Sequence, residues 1–99
     1  MADYERITAA TIREVLRTAE EVLTARLPIE KVGEDRHSIT LKGGDGTVTI
    51  EAHRHGPDTV VHARTDQLRT SRLDLETQYF LNKLPYQPGD TARASRGAA

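Results

Sequence analysis

The chain has no cysteine in its 99 residues. Disulfides, thiolate metal ligands and cysteine nucleophiles are therefore excluded. It also has almost no net charge: 14 Lys and Arg against 15 Asp and Glu give −1 at neutral pH. Bulk attraction to nucleic acid or to an anionic membrane then has no source. No apolar run approaches the ~20 residues of a membrane span, and the N-terminus has no signal-peptide apolar segment. A cytoplasmic protein that avoids membranes is expected. There is no internal repeat, and the length suits one domain. Side chains able to fill a core are few, about fifteen, which leaves little margin at this size. A second copy covering apolar surface would add to that margin, so a homodimer is expected.

What is present is a clear alternation between residues 37 and 65. In His37-Ser38-Ile39-Thr40-Leu41-Lys42 the apolar positions are 39 and 41. In Thr47-Val48-Thr49-Ile50-Glu51-Ala52-His53 they are 48, 50 and 52, and in Thr59-Val60-Val61-His62-Ala63-Arg64-Thr65 residues 61 and 63 share a side. Period-two alternation means one buried and one wet face of a sheet. Gly43-Gly44-Asp45-Gly46 carries the Asp-Gly hairpin signal. With Asp45-Gly46 as the loop, Leu41 faces Ile50, Ile39 faces Ala52 and Ser38 faces His53. With Pro57-Asp58 as the second loop, Ala52 faces Ala63 and His53 faces His62. Both registers set apolar residues opposite apolar residues.

Helical patterns flank this segment. Thr11-Ile12-Arg13-Glu14 fits a capping box. Ile12, Val15, Leu16, Ala19, Val22, Leu23 and Leu27 follow with the spacing of one apolar stripe, and Pro28 ends the helix. Ser71 is the expected cap of a second helix, whose Leu73, Leu75, Tyr79, Phe80, Leu81 and Leu84 spread over more than one face before Pro85. Residues 1–10 are weakly determined, and 28–36 read as a connector. The expected fold is α+β: a two-layer sandwich of a three-stranded antiparallel meander with an N-terminal and a C-terminal helix on one face (α-β-β-β-α). Residues 1–87 would form that domain, and 88–99, without an apolar anchor, a disordered tail.

Three surfaces could carry chemistry. On the outer sheet face the expected register gathers His53, His62 and Glu51, with His55 two residues on. Two imidazoles and a carboxylate are candidate metal ligands, although an ordinary polar face with Glu51 paired to Arg64 uses the same residues. Ser38 beside His53 would lack an orienting Asp and an oxyanion site, so no catalytic residue is assigned and no cofactor is implied. Arg69, Ser71 and Arg72 bring guanidinium groups and a hydroxyl to a helix start, a candidate anion site. Finally, an edge strand containing Val60, and the helix surface with Tyr79, Leu81 and Tyr86, are candidate interfaces. The glycines at 43, 44 and 46 are read as a turn, not a phosphate-binding loop.

Helix, three strands, helix resembles the element order of double-stranded RNA-binding domains. Those look for a lysine cluster at the start of the second helix, where this chain has only Arg69 and Arg72. Small secretion-type chaperones begin with a similar core and work as dimers. Both likenesses concern topology alone. The leading expectation is a non-enzymatic protein-binding module, dimeric and engaging a partner through an edge strand or the second helix. The alternative is a metal- or small-ligand-binding protein using the outer sheet face, with RNA binding behind it.

Overall fold

A computed structural model of the chain describes residues 2–85. The expected tail, the last residues of the expected domain and Tyr86 lie outside the described residues. The elements run β1 (Ala2–Thr8), α1 (Ile12–Arg26), β2 (Ile29–Glu34), β3 (Ser38–Gly43), β4 (Gly46–His55), β5 (Asp58–Thr65) and α2 (Arg72–Asn82). The fold is α+β, with one antiparallel sheet in the order β1-β5-β4-β3-β2. The sheet has five strands rather than three. The two likenesses of element order depended on three strands and fall with that reading.

Both added strands were hard to read for a physical reason. β1 turns Ala2, Tyr4 and Thr8 inward, but its most apolar residue, Ile7, lies on the outer side. The alternation is therefore masked. In β2 only Ile29 is buried, so there is no buried row to recognise. Its pairing with β3 is irregular between Lys31 and Gly33, which leaves Val32 out of register and 55% exposed. Adding β1 and β2 moves the edges. β5 is paired on both sides and is interior, not an edge, and so is β3.

The hairpin registers also differ from the expected ones, each by two residues. Leu41 faces Val48 and Ile39 faces Ile50, while Ala52 faces Val61 and Ile50 faces Ala63. A two-residue shift keeps every side chain on its face, so apolar matching cannot detect it. Backbone geometry decides instead. Positive φ falls on Gly46 (123°) and Gly56 (64°). Gly46 thus follows a Gly44-Asp45 loop, and Gly56 opens a Gly56-Pro57 loop, where a leading glycine suits a type II′ turn and Pro57 supplies the second φ. The first hairpin is clamped from outside: Thr47 N donates to Asp66 Oδ1 at 2.9 Å.

α1 begins with the expected capping box. Glu14 N donates to Thr11 Oγ1 (3.1 Å) and Thr11 N to Glu14 Oε1 (2.8 Å). Val15, Leu16, Ala19 and Leu23 of α1, and Leu73, Phe80 and Leu81 of α2, join Tyr4, Ile39, Leu41, Val48, Ile50, Ala52, Val61 and Ala63 in one apolar cluster. The α1 C-terminus is tied to α2 by an Arg26–Glu76 ion pair and by Arg72 donating to the Arg26 carbonyl at 3.1 Å. Among the described residues no helix is long and apolar enough to cross a membrane.

Candidate functional site

A wide groove lies beside α1, where the sequence signalled nothing. Ile12, Leu16 and Glu20 recur four residues apart, so they share one flank of the helix, with Arg13 and Arg17 on the adjacent row. Across from them stand Lys31 and Glu34 of β2, residues 35–37 of the connecting turn, and Ile39 of β3. Together they line an open groove of about 630 Å³. Its floor is Ile12, Leu16 and Ile39.

The charges in this groove are unevenly engaged. The Lys31 ammonium bridges Glu34 and Glu20, the latter at 3.2 Å, and these hydrogen bonds hold its pKa above the ordinary lysine value. Asp35 accepts from the His37 amide (2.8 Å) and from Ser38 Oγ (3.2 Å). The His37 amide is the main reason its carboxyl sits below the usual range. All three carboxylates are thus occupied within the fold. Arg13 and Arg36 form no ion pair or hydrogen bond among the described residues.

On the outer sheet face, the observed rows are Ser38–Glu51–His62–Glu5 and Thr40–Thr49–Arg64–Asp3. His62 does meet His53, but diagonally: the rings stack with centroids 5.6 Å apart and planes 15° apart. Glu51 lies opposite His62, Ser38 lies opposite Glu51 rather than His53, and His55 lies opposite Asp58 at the far end of β4. The acidic partners come from β1. Arg64 Nε donates to Asp3 Oδ1 at 3.1 Å, and His62 Nε2 lies 3.9 Å from Glu5 Oε2. Among the described residues no group of three His, Cys, Asp or Glu is placed to hold a metal ion.

The start of α2 is occupied by the chain's own Asp74. Asp74, fully buried, accepts from Ser71 Oγ (2.7 Å), Thr65 Oγ1 (2.9 Å) and the Tyr4 hydroxyl (2.7 Å). Its amide in turn donates to Ser71 Oγ, which completes the cap. Arg69 lies over the Tyr4 ring, 4.9 Å from its centre, and reaches the Asp3 carbonyl; Arg72 is held by the Arg26 carbonyl. Arg69, Ser71 and Arg72 are therefore all engaged within the fold.

The expected interface residues are dispersed. Val60 is 8% exposed within β5, and Leu81 is in the core. Tyr79 is partly exposed, with Arg26 and Lys83 over its ring at 4.0 and 5.2 Å. Leu75, one turn before it, is 58% exposed.

The two true edges differ in their cover. On β1, the Asp3 and Glu5 carbonyls accept from Arg69 and Arg6, and Thr8 Oγ1 donates to the Pro85 carbonyl at 2.6 Å. On β2, among the described residues, no side chain hydrogen-bonds to the backbone. No protein-family model matches the chain, and no curated protein or solved structure is significantly similar to it.

Proposed function

We propose that the protein is a non-enzymatic protein-binding module that captures a partner strand along β2. The carrying observation is the difference between its two sheet edges: arginines and the chain after α2 engage β1, whereas among the described residues no side chain hydrogen-bonds to the β2 backbone. An uncovered edge is a template for an added strand, with main-chain hydrogen bonds giving affinity. Self-pairing of this edge is disfavoured in the register centred on Val32. Antiparallel pairing of two β2 strands about Val32 would set Glu30 of one copy against Glu34 of the other, and like charges directly opposite are destabilising. The self-association that the small core favours would then use another surface, the exposed Leu75 and Tyr79 of α2.

A photoreactive side chain placed at position 32, and separately at position 7 on the covered edge, tests this reading in cells. Cross-links to a second protein are expected at 32 and not at 7. Equal capture at both positions, or none at 32, rejects it. A covalent dimer of this chain at 32 would make the edge a self-association surface instead.

A further inference from the structure

We infer that the groove between α1 and the β2–β3 hairpin receives an acidic, apolar-anchored segment of another protein, an inference that rests on the protein-binding reading above. The groove lies beside the same strand, β2, whose Lys31 and Glu34 line it. A strand added to β2 turns alternate side chains towards the groove and towards the outer face. Those on the groove side meet Ile12, Leu16 and Ile39 below and the arginines of α1 and the turn above.

Charge identifies the segment. Glu20 and Glu34 are engaged by Lys31, and Asp35 by the amide of its own turn. Arg13 and Arg36 have no partner among the described residues, with Arg17 and His37 beside them. The lining thus sets Arg13, Arg17, Lys31 and Arg36 against Glu20, Glu34 and Asp35, one positive charge in excess, in a chain whose net charge is −1. Carboxylates on an incoming segment would complete these arginines, and apolar side chains would fill the floor. A basic segment would face Arg13 and Arg36, unpaired among the described residues, with Arg17 beside them.

Fluorescence anisotropy on the full chain provides the test. The probe is a labelled peptide of alternating glutamate, leucine and serine residues, and the control replaces every glutamate by lysine. The acidic peptide is expected to bind saturably, with affinity that falls as salt is added, and at least roughly tenfold more tightly than the control. The double variant Arg13→Glu, Arg36→Glu is expected to reverse that preference. Both arginines are exposed, so circular dichroism should show an unchanged fold.

Equal binding of the two peptides overturns the inference, as does binding that ignores the double substitution. Saturable binding of decanoate without binding of the acidic peptide also overturns it, in favour of a small amphiphile. If the acidic peptide fails while position 32 still cross-links to a protein, the groove inference is lost and the edge reading stands. If the peptide binds in the groove while position 32 captures nothing, the edge reading is lost and the groove stands.

Discussion

The Tyr4 hydroxyl donates to the buried Asp74 carboxylate at 2.7 Å, across seventy residues of chain. This bond ties β1 to the first turn of α2, and Thr65 brings the end of β5 to the same carboxylate. A buried carboxylate needs such donors, because each one offsets part of the cost of removing its charge from water. The network explains why a strand with so little apolar content holds its place in the sheet.

Replacing Tyr4 by Phe removes one donor to a charged acceptor and keeps most of the ring packing. The expected loss is about 1.5–3 kcal/mol, read from the urea midpoint. A change below roughly 0.5 kcal/mol would mean that the remaining hydroxyls carry the carboxylate alone.

Tyr4 also sets an alkaline limit. Burial first, and then the hydrogen bond to Asp74, raise its pKa above the ordinary tyrosine value. The folded state thus prefers the neutral phenol. Its contribution is complete below the ordinary value, about 10, and is lost as pH rises through the higher folded value. Urea midpoints should fall on that alkaline limb in the parent chain, and Tyr4→Phe should remove part of the slope.

On the acid side the sign reverses. Backbone amides lower the carboxyl pKa of Glu14 (from Thr11), Asp35 (from His37) and Asp66 (from Thr47). Their contributions are present above the ordinary carboxylate values, about 4, and are lost as pH falls through the lower folded ones. Midpoints measured downward from about pH 5 should decline, and less steeply in the Asp35→Asn, Asp66→Asn double variant. An identical decline in both proteins would assign the acid limb to other groups.

Gly43 is fixed by close approach. A Cβ there would stand 2.2 Å from the Pro28 carbonyl oxygen and 2.8 Å from Ile29 Cα, where β2 begins. Gly43→Ala must push two strands apart, at an expected cost of about 1–3 kcal/mol. Gly33, on the neighbouring strand, has nothing within 4 Å of such an atom. Gly33→Ala is expected to be neutral or to stabilise by up to about 1 kcal/mol. Thermal melts of the two variants make the comparison, and equal losses would refute the close approach.

Thr11→Ala removes the side-chain half of the α1 capping box and should cost about 1 kcal/mol. A Thr11→Ser variant keeps the hydroxyl and should recover most of it. Failure of serine to recover stability would shift the effect from the cap to the lost methyl group.

The local signals were legible because they need only neighbours in sequence. The α1 cap is written in Thr11 and Glu14, the α1 stripe in Val15, Leu16, Ala19 and Leu23, and the three central strands in alternating Ile, Leu, Val and Ala. Loop placement was less legible, because both a zero and a two-residue offset bury the same side chains. β1 and β2 were illegible for a different reason. Much of what holds them is backbone pairing, together with long-range bonds such as Tyr4 to Asp74, and these leave little trace in hydrophobic period.

Sequence alone therefore determined the absence of thiol chemistry, the near-neutral charge, both helices and the inward set of the central sheet. The tertiary structure decided which strands are edges, that Ser71 joins Tyr4 and Thr65 around the internal Asp74 carboxylate while Arg69 and Arg72 bind backbone carbonyls, and that Arg13 and Arg36 face a groove. Composition and periodicity report how each residue relates to water and to its near neighbours. Edges, buried partners and unpaired charges depend on which distant segments meet, and only packing settles that.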